Sequence, residues 1–325
     1  MEENIFQNRV DLTALNEQVK KIKAAIGTVI VGQEKMIDLL ITAILADGHV
    51  LIEGVPGVAK TLTAKLLSKI ISVAFSRIQF TPDLMPSDIL GTSVYNLKTS
   101  EFEFKAGPIF SNIILIDEIN RAPAKTQAAL FEVMEERQVT IDGHTHKMNL
   151  PYVVLATQNP IEQEGTYRLP EAQLDRFLFK IAVGYPSQEE EIEILQRHHD
   201  RKGIQALAEV SAVLTADQIQ AFRQFAQQVH IEQNLLVYIA QIIQETRNNP
   251  SVFLGASPRA SIAILMAAKS FAMINGRDFV SPEDVKFVAL PVLRHRIILS
   301  PEKEMEGITA DEVVKQIVDK IEVPR

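Results

Sequence analysis

The spacing of apolar residues predicts alternating helices and strands over the first 186 residues of the chain. Apolar residues recur every three or four positions from residue 11 to 26, which predicts an amphipathic helix. Further helices are predicted at 34–46, 60–72 and 123–136. Apolar runs bounded by turn residues predict strands at 49–52, 75–80, 113–116, 152–157 and 178–183. The run at 113–116 has no polar position, which is typical of a strand buried on both faces of a parallel sheet.

Two hairpins are predicted inside this α/β region. One covers 92–108, after a short helix that begins near Pro86, and the other covers 137–150. The pair Asp142-Gly143 in the second hairpin favours a tight turn of the primed type. His144 and His146 beside this turn are interpreted as solvent-facing polar positions rather than as metal ligands.

From Pro186 onward the apolar residues keep the spacing of three and four that is typical of helices, and no further strand pattern is visible. Ser187 and Glu190 predict a capping box at the start of the first of these helices. The predicted helices are 188–201, 215–230, 234–248, 257–275, 281–297 and 309–321. We therefore place a domain boundary near residue 186 and predict an α/β domain with a parallel sheet over 1–186, followed by an all-α domain over 187–325.

Composition and charge narrow the class of protein. The chain has 325 residues, of which 46% are hydrophobic and 23% are charged, and this is ordinary globular usage. The lack of cysteine excludes disulfides, thiolate zinc sites and a cysteine nucleophile. A net charge of −8 argues against a general nucleic-acid binder. Because no stretch reaches the ~18 apolar residues of a membrane span and the N-terminus lacks a basic signal region, a cytoplasmic protein without a membrane partner is expected.

A glycine-rich stretch lies between the strand at 49–52 and the helix at 60–72. Glycines at such a place let backbone N–H groups point at a phosphate chain, and the helix N-terminus adds a favourable partial charge. Lys60 would reach the β and γ phosphates, and the Thr61 hydroxyl would bind Mg²⁺. The usual phosphate-binding pattern has glycine where Ala59 stands. An alanine there is compatible with the loop if Ala59 has helical dihedral angles. The alternative interpretation of the stretch is a Gly/Pro turn that binds nothing. The predicted nucleotide-binding residues are Gly54, Val55, Pro56, Gly57, Val58, Ala59, Lys60, Thr61, Leu62 and Val31.

Two carboxylates stand at the end of the apolar run at 113–116. An unpaired buried charge is costly, so Asp117 and Glu118 are hard to explain structurally. Beside the glycine loop, Asp117 would hold Mg²⁺ through its water shell and Glu118 would accept a proton from an attacking water. The alternative is an acidic helix N-terminus stabilised by the helix dipole. The two motifs together form the specific signal, because one reaction requires both of them.

Two further polar residues are candidates for the same site. Asn159 follows the strand at 152–157 in line with Asp117, where its amide could orient the attacking water; otherwise it is a turn asparagine before a proline. Arg259 lies in the first turn of a predicted helix, where the helix dipole disfavours a cation. An anionic partner is therefore expected for Arg259, and the alternative is a surface pair with a nearby carboxylate.

Taken in order along the chain, these features resemble the AAA+ ATPases. The amino-acid sequences of the motifs are similar to those of the MoxR family. The resemblance covers residues 32 to about 297, most of the chain. The stretches that carry it are Gly54–Thr61, Phe80–Asp88, Asp117–Pro123, Ala156–Pro160, Leu174–Phe177 and Gly255–Arg259. Members of the family also have alanine at the place of Ala59.

The resemblance implies a P-loop NTPase, built as an AAA+ αβα sandwich with a parallel sheet and followed by a helical lid. It also implies that Asn159 is the sensor-1 residue, Arg259 the sensor-2 arginine of the lid, and Arg176 an arginine finger that reaches the nucleotide of a neighbouring subunit. The two predicted hairpins correspond to the helix-2 insert and the pre-sensor-1 hairpin. The implied cofactors are ATP and Mg²⁺, and the implied assembly is a homo-oligomeric ring, taken as a hexamer. The implied role is that of a chaperone whose partners carry von Willebrand A domains.

Functions of different classes remain open at this point. In one, ATP hydrolysis drives the remodelling of a partner protein. In another, the chain is a nucleotide-gated binding module whose turnover is incidental. A catalytic base favours the enzyme, because a binding module does not need one. A DNA-remodelling, helicase-like protein is a third interpretation, which the acidic charge disfavours.

Overall fold

The computed structural model describes residues 13–55, 57–159, 167, 169–200, 207 and 210–323. In its first part the helices are α1 (Thr13–Gly27), α2 (Glu34–Leu45), α3 (Lys60–Ile70), α4 (Pro86–Leu90), α5 (Ala124–Glu136) and α6 (Glu171–Leu174). The strands are β1 (His49–Gly54), β2 (Phe75–Gln79), β3 (Gly91–Asn96), β4 (Glu101–Ala106), β5 (Ile113–Asp117), β6 (Gln138–Ile141), β7 (His144–Lys147), β8 (Val153–Gln158) and β9 (Phe177–Val183). The predicted strands and long helices of this part all form, with boundaries within a few residues.

The main sheet has five strands in the order β2-β5-β8-β1-β9, and the pairs are parallel. All five residues of β5 are buried. Ile113 and Leu115 point into one hydrophobic core, and Ile114 and Ile116 point into the other core on the opposite face of the sheet. The predicted burial of this strand on both faces is therefore confirmed.

The two predicted hairpins form and pack against each other. β3 pairs with β4, and β6 pairs with β7, both antiparallel. Asp142 and Gly143 have φ values of 50° and 78°, so the primed turn is confirmed. The ring of His146 stacks on Phe104 with 4.2 Å between the ring centroids. The interpretation of His146 as a solvent-facing position is therefore wrong, because it joins the two hairpins.

The second part of the chain is mainly helical. Its helices are α7 (Gln188–Asp200), α8 (Ala216–Gln228), α9 (Gln233–Asn248), α10 (Pro258–Ile274), α11 (Pro282–Leu293), α12 (Pro301–Met305) and α13 (Ala310–Lys320). The predicted capping box of α7 forms, because the amide of Glu190 donates to the Ser187 hydroxyl and the amide of Ser187 donates to the Glu190 carboxylate.

A small ribbon corrects the prediction that this second part contains helices alone. β10 (Val252–Leu254) pairs antiparallel with β11 (Ile298–Leu299). Strands of three and two residues are too short to show a period of two, and α11 ends at Leu293 rather than at 297 because the chain turns to form β11.

One hydrophobic core extends across the predicted domain boundary. Leu15 of α1 and Ile41 of α2 belong to the same buried cluster as Phe222 of α8 and Ile264 of α10. The helical part therefore packs on the face of the sheet that carries α1 and α2. Among the residues that the structure describes, no helix combines the length and the apolar character needed to cross a membrane.

His49 is buried at the start of β1 with both ring nitrogens in hydrogen bonds. Its Nδ1 accepts from the amide of Val154 at 3.0 Å, and its Nε2 donates to the carbonyl oxygen of Met134 at 3.2 Å. Burial, with a smaller effect from the charge of Arg137, lowers the pKa of His49 from 6.5 to about 3. The folded protein therefore holds this imidazole in its neutral form.

We expect acid to destabilise the fold through His49. Between pH 6.5 and about 3 the unfolded chain binds a proton that the folded chain does not, so the stability present above pH 6.5 is lost as the pH falls. From pH 7.5 to pH 5.0 this group alone should lower the free energy of unfolding by about 2 kcal/mol. Urea unfolding at the two pH values measures the loss. The loss should be smaller in His49→Gln, and an equal loss in the variant would contradict the assignment.

Candidate functional site

The glycine loop and the acidic pair meet at the carboxyl edge of the main sheet. β1 ends at Gly54, β5 ends at Asp117, and β8 ends at Gln158, directly before Asn159. Because β8 pairs with both β1 and β5, these three strand ends are neighbours. In parallel α/β sheets this is the edge at which ligands bind. The half-buried Asn159 therefore lies on the same edge as the two motifs.

The loop between β1 and α3 turns through two residues with positive φ. Gly57 has a φ of 90°, and Ala59 has φ 57° and ψ 17°. The expectation of helical angles at Ala59 is wrong, because these angles lie in the left-handed region, at a cost of roughly 1–2 kcal/mol for a residue with a Cβ atom. Gly54 has no such φ, but a Cβ there would lie 2.7 Å from the carbonyl oxygen of Val183. Pro56 lies outside the described residues.

We expect Ala59→Gly to raise the free energy of unfolding by about 1 kcal/mol, because glycine adopts the left-handed conformation without a Cβ clash. Ala64→Gly is the matched control, since it makes the same change at a buried position inside α3 and should destabilise the protein. Thermal unfolding without nucleotide measures both variants. A loss of stability in Ala59→Gly would contradict the left-handed conformation.

Lys60 is the first residue of α3, and its side chain turns back into the loop. Its Nζ donates to the carbonyl oxygen of Gly54 at 2.7 Å. Burial lowers the pKa of Lys60, and the negative charges of Asp117 and Glu118 raise it in part. The ammonium group is thus within electrostatic reach of both carboxylates. Thr61 follows in the first turn of the helix.

Asp117 is a buried carboxylate with partners on both of its oxygens. Its Oδ2 accepts from Nε of Arg77 at 2.6 Å, and its Oδ1 accepts from the Thr157 hydroxyl at 3.2 Å. Its exposed fraction is 8%. Two donors therefore compensate the buried charge, and they orient the carboxylate at the end of β5.

Glu118 has a left-handed backbone and a side chain held by two donors. Its φ is 58°, and its amide donates to the Thr157 hydroxyl at 3.1 Å. Its Oε2 accepts from Nε2 of Gln79 at 2.7 Å and forms an ion pair with Arg121 at 3.2 Å. The carboxylate is thus fixed next to the loop rather than pointing freely into solvent.

Four residues that the sequence pattern does not single out contact the acidic pair. Arg77 and Gln79 are on β2, Arg121 follows β5, and Thr157 is on β8. The spacing of two between Arg77 and Gln79 does place both side chains on one side of a strand. What the sequence does not show is that β2 pairs with β5, with Gln79 opposite Asp117.

Two other predicted nucleotide-binding residues, Leu62 and Val31, are apolar. Leu62 packs against the main core, and Val31 is buried and lines a cavity of about 430 Å³ between α1, α2 and α7. A second cleft of about 220 Å³ lies between Gln33, Tyr185 and Arg294. The Gln33 side chain donates to the carbonyl oxygen of Val58 at 3.3 Å, which connects this cleft to the loop.

The structure does not bring Arg176 to the carboxyl edge. Arg176 directly precedes β9, and Phe177 at the start of β9 pairs with His49 at the start of β1. From His49 to Gly54 the strand has six residues, which is roughly 17 Å at 3.3 Å per residue. Arg176 therefore lies at the amino edge of the sheet, at the opposite end of β1 from its own glycine loop.

Arg259 lies beside Arg176 at the same edge, because both bind one carboxylate. Glu135, near the end of α5, accepts from Nη1 of Arg176 at 2.9 Å and from Nη2 of Arg259 at 3.4 Å. The anionic partner expected for Arg259 is thus Glu135, and the side chain of Arg259 is 60% exposed. This contact is the surface pair that was the alternative interpretation.

Asp175 attaches this edge to the second part of the chain. Its Oδ1 accepts from Nε of Arg296 at 2.6 Å, and the Arg296 side chain is only 4% exposed. Its Oδ2 accepts from the hydroxyl of Ser257, the residue before α10, at 3.3 Å. A movement of the helical part would therefore move Asp175 and the neighbouring Arg176.

Comparisons with known proteins agree with this geometry. Residues 49–179 match the ATPase family associated with various cellular activities (AAA), and residues 244–317 match the AAA lid domain. The chain is 48% identical to the uncharacterized protein YeaC of Bacillus subtilis over 92% of each protein. It is 44% identical to Chaperone MoxR1 of Mycobacterium tuberculosis, over 91% of this chain and 80% of that protein, and 31% identical to Protein MoxR of Paracoccus denitrificans, over 87% and 89%. The crystal structure of a candidate ATPase from Cytophaga hutchinsonii superposes with a TM-score of 0.89 at 42% identity, covering 97% of both chains.

Proposed function

Since the chain belongs to the MoxR family of AAA+ ATPases, we propose that it hydrolyses ATP with Mg²⁺ and uses the reaction to remodel partner proteins. The observation that carries the proposal is the meeting of the glycine loop, the acidic pair and Asn159 at one edge of the sheet. The name of the Mycobacterium tuberculosis relative supports a chaperone role. Partners with von Willebrand A domains, a hexameric ring and a cytoplasmic location are parts of the same proposal.

Binding of the triphosphate rests on the loop and on Lys60. The loop amides and the N-terminus of α3 would face the phosphates. The ammonium of Lys60, which donates to the carbonyl oxygen of Gly54 in the structure, would turn to the β and γ phosphates. The cleft of about 220 Å³ beside Gln33 adjoins the loop and would bind the adenine base of ATP.

The residues at this edge also fit a magnesium ion. Mg²⁺ takes oxygen ligands and is commonly bound by one or two carboxylates together with phosphate oxygens and water. Asp117 offers a carboxylate and Thr61 offers a hydroxyl. Arg77 binds an oxygen of the same carboxylate, so it would have to share or release that oxygen. When bound, the ion would neutralise part of the phosphate charge.

Glu118 is the proposed general base, and Asn159 the proposed residue that orients the attacking water. The carboxylate of Glu118 is held by Gln79 and Arg121. Both donors bind Oε2, so they orient the carboxylate and leave Oε1 as the oxygen that would accept the proton from the attacking water.

Arg176 is proposed to act on the nucleotide of a neighbouring subunit. Its place at the amino edge, roughly 17 Å along β1 from its own loop, makes an action within one chain difficult. Because Arg259 shares Glu135 with Arg176, the same reasoning applies to Arg259. Both arginines would exchange Glu135 for phosphate oxygens of the next subunit.

We expect Arg259→Ala to reduce the preference for ATP over ADP only in the assembled protein, because the arginine would meet phosphates there. Nucleotide affinities measured below and above the assembly concentration test this. Glu135→Gln is the matched variant, since it removes the carboxylate and leaves the arginine, and it should keep the preference. If the assembled Arg259→Ala protein prefers ATP over ADP as strongly as the parent does, Arg259 is only a surface partner of Glu135 and does not contact the nucleotide.

The test of the proposed function is ATP turnover by the purified chain with Mg²⁺. Lys60→Ala should bind ATP weakly and show no turnover. Glu118→Gln loaded with ATP should retain partner proteins with von Willebrand A domains in a pull-down, and the parent with ADP should not. A parent protein that neither binds nor hydrolyses ATP would overturn the proposal that the chain is an ATPase. If partner proteins are retained equally with ATP and with ADP, the proposed coupling of ATP hydrolysis to partner remodelling would be overturned.

A further inference from the structure

The side chain of Arg77 lies on the face of the main sheet that α3 covers. Alternate residues of a strand point to opposite faces, and Phe75, two residues before Arg77, packs against the core that contains Leu67 of α3. In β5, Leu115 of the same core stands two residues before Asp117. The guanidinium group and the carboxylate therefore meet on the α3 face of the sheet, at its carboxyl edge.

The two donors that bind the Asp117 carboxylate differ in how firmly they are held. Thr157 is 3% exposed, and its hydroxyl also accepts from the amide of Glu118 at 3.1 Å, which fixes it within the sheet. The side chain of Arg77 is 50% exposed. Within the part of the chain that the structure describes, its bond to Asp117 at 2.6 Å is the one hydrogen bond of its guanidinium group. Arg77 can therefore leave the carboxylate for water, whereas Thr157 cannot.

Positive charge outweighs negative charge around Asp117. In the described part of the chain, the charged side chains in contact with the loop or within the acidic pair are three cations, Lys60, Arg77 and Arg121, and two carboxylates, Asp117 and Glu118. A divalent cation that approached Asp117 alone would meet the guanidinium group at the same oxygen, and like charges a few ångströms apart repel strongly at a half-buried site. The negative charge of a triphosphate at the glycine loop would reverse this balance.

We propose that Arg77 takes the place of the metal on Asp117 while no nucleotide is bound, so that Mg²⁺ binds only together with the triphosphate. This inference rests on the proposed function, because it assumes that Asp117 is the carboxylate that holds Mg²⁺. Arg77 is then a positioning residue that compensates the buried carboxylate in the nucleotide-free protein and moves into solvent when the ion binds. The arrangement prevents divalent cations from occupying the site without ATP.

Binding of Mn²⁺ to the nucleotide-free protein tests the inference, because Mn²⁺ prefers the same oxygen ligands as Mg²⁺ and is visible by electron paramagnetic resonance. The parent should bind Mn²⁺ weakly. Arg77→Gln keeps a side-chain donor for Asp117 but removes the charge, and we expect its affinity for Mn²⁺ to be about tenfold higher or more, since a unit charge beside the ion is lost. Arg77→Lys keeps the charge and should behave like the parent.

Two further variants assign the effect to this ion pair. Asp117→Asn combined with Arg77→Gln should abolish the additional Mn²⁺ binding, because the carboxylate is lost. Lys98→Ala is the matched control for net charge, since Lys98 is exposed in the turn between β3 and β4, and its Mn²⁺ affinity should equal that of the parent. Thermal unfolding shows whether each variant is folded, and Mg²⁺ without nucleotide should raise the unfolding midpoint of Arg77→Gln but not that of the parent.

Two outcomes would overturn the inference. One is tight Mn²⁺ binding by the nucleotide-free parent, a measurement that needs no variant and so does not depend on the folding of Arg77→Gln. The other is an equal Mn²⁺ affinity in Arg77→Gln and parent, which would show that Arg77 only orients Asp117. Because these experiments contain no ATP, either outcome in a parent that hydrolyses ATP removes the inference alone. A parent that does not bind ATP would instead overturn the proposed function.

Discussion

Arg176→Ala should bind ATP with unchanged affinity and hydrolyse it on the order of 10³- to 10⁵-fold more slowly, the range found for arginine fingers in other nucleotide hydrolases. The guanidinium fork can bind two phosphate oxygens and keeps its charge in an interface, so its loss removes stabilisation of charge that develops on the transferred phosphoryl group. Steady-state turnover and nucleotide titration measure the two effects.

The position of Arg176 also predicts how the turnover depends on protein concentration. Because the residue lies at the opposite end of β1 from its own loop, activity per chain should rise with protein concentration as subunits assemble. Arg176→Lys keeps the charge without the planar fork and should restore only part of the rate. Thermal unfolding controls for the lost contacts of Arg176 with Glu135 and the carbonyl oxygen of Phe131.

Mixing two inactive proteins tests whether the active site is shared. Arg176→Ala chains retain the base, and Glu118→Gln chains retain the arginine. Some interfaces of a mixed ring then combine an intact base with an intact arginine, so part of the activity should return. The assignment of Arg176 to a neighbouring site fails if the mixture stays inactive although mixed oligomers form, or if dilute monomer is already fully active.

Glu118→Gln should keep ATP binding and lose roughly 10²- to 10⁴-fold in turnover, the usual contribution of a positioned general base. Glutamine has nearly the same shape but cannot accept the proton from water. Glu132→Gln is the matched control, because it makes the same change at an exposed position on α5, and its turnover should equal that of the parent. Turnover at the parent rate in Glu118→Gln would show that another group is the base.

Much of the fold and of the site could be predicted from local sequence pattern. The strand at 113–116 was predicted from four consecutive apolar residues, and the primed turn at Asp142-Gly143 from one dipeptide. The residues of the glycine loop and the acidic pair were predicted as one site because their chemistry belongs together, and the structure places them on one edge of the sheet.

Other features required information that no local pattern contains. The partners of Glu118 come from β2 and from the turn after β5, and Gln79 reaches the site only because β2 pairs with β5. The left-handed Ala59 could not be expected from an alanine before a helical pattern, since its conformation is imposed by the fold around the loop. The ribbon of β10 and β11 joins two segments more than forty residues apart.

The sequence by itself determined the types of most elements, the residues of the glycine loop and acidic pair as one candidate site, and the family, because these depend on hydrophobic period and residue type over short stretches. Only the tertiary structure decided that Arg176 and Arg259 share Glu135 at the edge opposite their own loop. The physical reason is that strand order and the packing of helices result from contacts between residues far apart in the chain. A side chain of given chemistry can therefore be recognised from its neighbours in sequence, whereas the molecule it will contact cannot.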